Sequence, residues 1–171
     1  MSLKTPEMLD QEIAAVVEQL APALRRREWL LCTAESCTGG WMSKVCTDQP
    51  GSSDWFYGGF VCYSYQAKEH QLGVIHDDLI EHGAVSEAIA SQMALGARRG
   101  SAAGITVAAT GIAGPDGGMP NKPVGLVCFG WSMIGGRSKT ASEVFAGDRD
   151  QIRRQTTLYA LQGVLDLVND A

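Results

Sequence analysis

Leu9, Ile13, Val16, Val17, Leu20 and Leu24 recur at intervals of three and four residues, so one apolar stripe runs down an opening helix. Thr5 stands where it caps that helix and Pro6 suits its first turn, giving a helix over about 6–24. A charged run, Arg25 to Glu28, leads into a short apolar strand over 29–34. Residues 35–40 read as a turn, 40–47 as a helix, 48–53 as a turn and 59–65 as a strand. A short helix then carries Lys68, turns and another short helix fill 73–83, and a longer helix spans 86–99. Residues 104–110, rich in Ile, Val, Thr and Ala, have the character of a buried strand. A Gly- and Pro-rich loop over 111–123 precedes two strands, 124–132 and 138–145, joined through Gly135-Gly136 as a β-hairpin. Asp148 and Gln151 have the spacing of a capping box and open a last helix that runs to about 168.

Helices and strands alternate in the first half and a hairpin follows in the second. That pattern predicts an α/β fold: a single three-layer α/β/α domain over 1–171 with a mixed sheet. The hydrophobic fraction, 45% of 171 residues, suffices for one core. The net charge of −5, with no Lys/Arg block, excludes the basic stripe of a nucleic-acid binder. No stretch is long and apolar enough to span a bilayer, and MSLKTPEMLDQEI (1–13) lacks the apolar core and cleavage site of a secretory leader. A cytoplasmic protein, with no membrane or nucleic-acid partner, is the expectation. Cys32, Cys37, Cys46, Cys62 and Cys128 are odd in number and form no C-x-x-C, which favours reduced thiols over a disulfide framework or a zinc site. His70, His76 and His82 fall in polar segments and read as surface residues, so no metal and no cofactor is expected.

Four segments carry candidate chemistry. In TAESCTGG (33–40), hydroxyls and glycines gather where a strand gives way to a helix, and free N–H groups there attract anions. Ser36, Thr38, Gly39 and Gly40 suit a phosphate cradle; a simple helix cap is the other reading. In GSSDWF (51–56) and YSYQAK (63–68), a serine and a lysine stand among aromatic residues. A serine hydroxyl needs a base to become a nucleophile, and a lysine serves once burial has lowered its pKa. Trp55, Phe56, Phe60 and Tyr63 would supply the burial, with Tyr63 relaying a proton or orienting the amine; on the residues alone, a turn serine and a solvated lysine fit better. The long loop from Thr110 through Gly111, Gly114 and Gly118 to Lys122-Pro123 has the glycines of an anion nest or oxyanion hole, or is a plain connection. Arg149, at the start of the last helix, suits a phosphate or carboxylate, or lies on the surface. Cys37 near a helix start, with Glu35 and a lysine, would give a rival amidase of the nitrilase type.

Taken in order, TAESCTGG (33–40), PGSSDWFYGGFVCYS (50–64), AK (67–68), LGV (72–74), HGAVSE (82–87), TGIAGPDGG (110–118), KPVGLV (122–127) and GDRD (147–150) resemble the C-terminal domain of the competence/damage-inducible CinA family, above all its stand-alone amidohydrolases. The resemblance runs from about 10 to 168. It implies a three-layer fold, a homo-oligomer, and hydrolysis of nicotinamide mononucleotide to nicotinic acid mononucleotide and ammonia in pyridine-nucleotide salvage. By motif position it implies Ser53, Lys68 and Tyr63 as the catalytic serine, lysine and tyrosine of an acyl-transfer mechanism. It also places Ser36 and Thr110 in the pocket and Arg149 against the substrate. One position departs: many members read Tyr-Ser-Asn where this chain has Tyr63-Ser64-Tyr65, which bears on affinity or choice of amide. The rival expectations are an amidase with a related substrate and a nucleotide-binding module without catalysis.

Overall fold

The computed structural model describes residues 3–171; Met1 and Ser2, part of the 1–171 span and of the leader reading, lie outside the described residues. The first helix, α1 (Pro6–Arg27), is capped by Thr5, whose side chain accepts the Met8 N–H at 3.3 Å. It runs three residues past the expected end because Glu28 closes it in the left-handed conformation, with Trp29 N–H on the Leu24 carbonyl. Strand β1 (Leu31–Glu35) therefore starts two residues later than expected. Next come α2 (Trp41–Thr47), a 3-10 turn over Ser52–Asp54, and β2 (Phe56–Val61). The expected strand at 59–65 is thus corrected. It begins earlier, at Phe56, and ends earlier because Ser64 caps α3 (Tyr65–Leu72), accepting the Ala67 N–H at 3.1 Å.

Two further helices, α4 (His76–His82) and α5 (Glu87–Arg99), lead to β3 (Ile105–Gly111). The chain ends with the hairpin β4 (Leu126–Met133) and β5 (Ser138–Val144) and with α6 (Arg149–Asn169). The expected capping box is present: Asp148 accepts Gln151 N–H at 2.8 Å and the Gln151 side chain accepts Asp148 N–H at 3.0 Å.

The five strands form one mixed sheet in the order β2-β1-β3-β4-β5. β1 is parallel to both β2 and β3, while β4 is antiparallel to β3 and β5. Residues alternate between the two faces. Leu31, Ile105, Val107, Ala109, Phe129 and Trp131 face α1, α2 and α6. Cys32, Ala34 and Ala108 face the core formed with α3, α4 and α5. Along β1 this period puts Glu35 on the first side and the next residue, Ser36, on the side of α3.

Candidate active site

Three parallel strands end at the same edge of the sheet. The chain leaves β1 toward β2 on one side and returns as β3 on the other, so a crevice opens beyond their carboxyl ends, where α/β folds bind ligands. Ser36 occupies that position. Its N–H bonds the Ala109 carbonyl at 3.0 Å, and Cys62 N–H bonds the Glu35 carbonyl at 2.8 Å, so all three strand ends are tied together.

Lys68 enters from α3. It is only 1% exposed, and its Nζ lies 2.9 Å from Ser36 Oγ, 2.9 Å from the Cys62 carbonyl and 2.8 Å from the Tyr63 carbonyl. Burial lowers its pKa from 10.5 to about 8. The partner set has a chemical consequence. Carbonyls only accept, so a neutral amine spends its two hydrogens on Cys62 and Tyr63 and turns its lone pair to the Ser36 hydroxyl. That is the arrangement of a general base beside a nucleophile.

The expected partner of Lys68 was Ser53, and here the structure departs from the sequence reading. Ser53 is exposed in the 3-10 turn before β2, whereas Lys68 touches the residues just after β2. A six-residue strand separates them, roughly 16–20 Å of chain. A residue that precedes a parallel strand lies at the opposite edge of the sheet from one that follows it, so Ser53 and Lys68 do not meet. Tyr63 is placed beside the lysine, but through its carbonyl; its side chain is 68% exposed.

Of the groups expected to cradle a phosphate at Ser36, Thr38, Gly39 and Gly40, the Thr38 hydroxyl and the Gly40 N–H go to Glu35 and the Gly39 N–H goes to the Ser36 carbonyl at 3.2 Å. Glu35, fully buried, accepts from Gly40 N–H (3.0 Å), Met42 N–H (3.0 Å) and Ser43 N–H (2.8 Å), the free donors at the start of α2. It also accepts from the hydroxyls of Thr33 (3.0 Å), Thr38 (2.7 Å) and Ser43 (2.8 Å). A carboxylate from the preceding strand thus neutralises the helix start. Gly40 permits the sharp entry with φ +100°.

The remaining expected residues are bonded within the protein. Thr110 is buried and donates to the Ala84 carbonyl at 2.9 Å; Gly111 is the last residue of β3, paired with Val127. Arg149 donates to the Gly114 carbonyl at 2.6 Å and ties the 112–125 loop to α6, while Lys122 ties it to the His82 carbonyl at 2.5 Å. Tyr65, the departing position, accepts the Ala84 N–H at 3.3 Å with its phenol oxygen. Cys37 is buried, and burial pushes its thiol up to about 12, which removes the thiolate a cysteine nucleophile needs. Two contributors escaped the sequence reading: Glu35 as the cap of α2, and Arg153, which donates to the carbonyls of Cys37 (3.0 Å) and Thr38 (2.9 Å).

Among the described residues, the one grouping of His, Cys, Asp and Glu compact enough for a metal is Asp78, Glu81 and His82 on α4, apart from the Lys68–Ser36 cluster. A cleft of about 930 Å³ between α1, α2 and α6 touches Thr38, Gly39 and Gly40 from behind but not Lys68 or Ser36. The Lys68–Ser36 pair lies at the strand ends, outside that cleft.

A family model described as the CinA C-terminal domain matches residues 13–168. The chain is 50% identical over 155 residues to the nicotinamide-nucleotide amidohydrolase PncC of Escherichia coli (strain K12), covering 91% of this chain and 94% of that protein. It is 44% identical over 158 residues to the protein of the same name from Enterobacter agglomerans, with 92% and 96% covered. The crystal structure of competence/damage inducible protein CihA from Agrobacterium tumefaciens superposes with a TM-score of 0.89, at 37% identity and 99% coverage of both chains.

Proposed function

Because the chain belongs to the CinA C-terminal domain family, we propose that it hydrolyses the carboxamide of nicotinamide mononucleotide to the carboxylate and ammonia, with Ser36 as nucleophile and Lys68 as its base. The observation that carries the assignment of residues is the 2.9 Å contact between a buried lysine and a serine at the carboxyl edge of the sheet. Neutral Lys68 takes the proton of Ser36, and Ser36 Oγ adds to the amide carbon. The tetrahedral intermediate collapses as Lys68 returns the proton to the departing ammonia. Water then attacks the ester, again with Lys68 as base, and frees Ser36. The pyridinium charge withdraws electrons from the carbonyl and favours attack. Two carbonyls hold the amine, so it needs little reorganisation between the steps.

Thr110, Gly111 and Gly114 form the opposite wall of the substrate crevice in this reading. Arg149 anchors the phosphate with the guanidinium hydrogens that the Gly114 carbonyl leaves free. Thr38 and Gly39 shape the serine turn rather than bind the phosphate, since Glu35 takes the Thr38 hydroxyl and the Ser36 carbonyl takes the Gly39 N–H. The protein is further proposed to be a homo-oligomer in the cytoplasm. Tyr57 and Val61 stand exposed on the edge strand β2, the kind of edge that assembly covers. Among the described residues no helix is long and apolar enough to cross a membrane.

Ammonia release from nicotinamide mononucleotide by Ser36→Ala and Ser53→Ala tests the assignment. Ser36→Ala is expected to lose roughly a thousandfold or more in kcat, and Ser53→Ala to stay within about threefold of wild type. The reverse order would return the nucleophile to Ser53.

A further inference from the structure

Arg153 reaches the serine turn from the face of the sheet opposite to Lys68. Its Nε and Nη2 take the carbonyls of Cys37 and Thr38, and its guanidinium carbon stands 5.1 Å from the centre of the Trp41 ring. The fit is close: at Gly39, where φ is +62°, a Cβ would come within 3.3 Å of Arg153 Nη2. The guanidinium thus spans two successive carbonyls as a fork, which a lysine cannot do.

Peptide groups are planar and trans, so a carbonyl and the N–H of the next residue point in opposite directions. With the Cys37 carbonyl turned to α6, the Thr38 N–H points away from α6, toward the side from which Lys68 approaches Ser36. Among the described residues, neither the Cys37 N–H nor the Thr38 N–H has an acceptor on another residue, the Cys37 N–H meeting only its own thiol. Buried amides without acceptors are rare, and two in succession beside a nucleophile are the usual makings of an oxyanion hole.

We propose that Arg153 is a positioning residue for the hydrolysis: by holding the Cys37 carbonyl it sets the Thr38 N–H, and by holding the Thr38 carbonyl it fixes the turn in which the Gly39 N–H bonds the Ser36 carbonyl and so orients the Cys37 N–H, so that the two amides receive the oxyanion that forms when Ser36 adds to the carboxamide. The inference rests on the reading of Ser36 as nucleophile. Arg153 touches neither the substrate nor the reacting atoms. It therefore acts on kcat, whereas Arg149, bonded to the Gly114 loop one turn earlier on α6, acts on substrate binding.

The test measures kcat and KM for ammonia release from nicotinamide mononucleotide by wild type, Arg153→Ala, Arg153→Lys and Ser36→Ala, with unfolding curves for each. Arg153→Ala is expected to lose about 10²-fold in kcat, the scale of an oxyanion donor, with KM within roughly threefold of wild type. Guanidinium chloride at a concentration on the order of 50 mM, far below denaturing levels, should restore part of the lost kcat in Arg153→Ala and none in Ser36→Ala. Arg153→Lys retains charge and stem, guards against a folding failure of the alanine variant, and should remain at least about tenfold below wild type. Wild-type kcat in Arg153→Lys, or a rise in KM with kcat intact in Arg153→Ala, would overturn the inference. Turnover surviving in Ser36→Ala would instead overturn the nucleophile assignment, so the two failures are distinguishable.

Discussion

Lys68 and Ser36 are 32 residues apart in the chain, yet Nζ and Oγ lie 2.9 Å from each other. Parallel pairing makes this possible. Ser36 follows β1 and Lys68 follows β2, and two parallel strands deliver their successors to the same edge. The contact is enclosed, with the lysine 1% and the serine 7% exposed, which lowers the pKa of the amine to about 8.

That pKa sets a pH dependence. Activity needs the neutral amine, so kcat/KM should rise with pH and level off above about 8, and Lys68→Met should be inactive throughout. Stability follows from the same shift. The folded pKa, about 8, lies below the unfolded value of 10.5, so the unfolded chain binds the extra proton between them. Stability referred to Lys68→Met should therefore rise as pH increases through that window, by an amount on the order of 3 kcal/mol in full. Urea unfolding of both proteins at pH 7.5 and at pH 10 checks this, and the comparison cancels the thiols and phenols that also titrate there.

Glu35 makes its own prediction. Six donors converge on one carboxylate, three of them from the start of α2. Glu35→Gln keeps the shape but replaces an acceptor by an NH2 group facing donors. It should cost about 3 kcal/mol in urea unfolding. It should also lower kcat, because Ser36 is the next residue and the turn after it loses its anchor.

Tyr65 gives a prediction about substrate binding. Its phenol oxygen takes the Ala84 N–H, and the Ala84 carbonyl takes the Thr110 hydroxyl, so Tyr65 steadies one wall of the crevice. Tyr65→Phe should raise KM by roughly three- to tenfold, the scale of one neutral hydrogen bond, and leave kcat within about twofold. An equal fall in kcat would instead place Tyr65 in the chemical step.

The elements were legible in the sequence wherever one residue decided a local question. Thr5 and Asp148 cap their helices, Gly135-Gly136 turns the hairpin, and the apolar stripe of α1 is buried as spaced. β2 was misplaced by three residues because Gly58 and Gly59 interrupt its apolar alternation, which resumes only at Phe60. Lys68, Ser36, Thr110 and Arg149 were each legible as chemical candidates. The resemblance put them in one pocket, but the pairing of Lys68 with Ser36 rather than Ser53 was not legible, because it depends on strand direction: whether a serine meets Lys68 turns on its following β1 rather than preceding β2. Glu35 drew notice only as the carboxylate of the rival Cys37 mechanism, and Arg153 drew none. Only the folded chain shows that one fills the start of α2 and the other clamps the turn from α6.

The most direct test of the central claim is to quench the reaction of nicotinamide mononucleotide in acid within the first turnovers and map the modified peptide by mass spectrometry. An acyl-enzyme is expected on the peptide bearing Ser36, with the mass of the substrate less ammonia, and it should be lost in Ser36→Ala. An adduct on the peptide bearing Ser53, or a Ser36→Ala protein that still forms one on Cys37, would contradict the account.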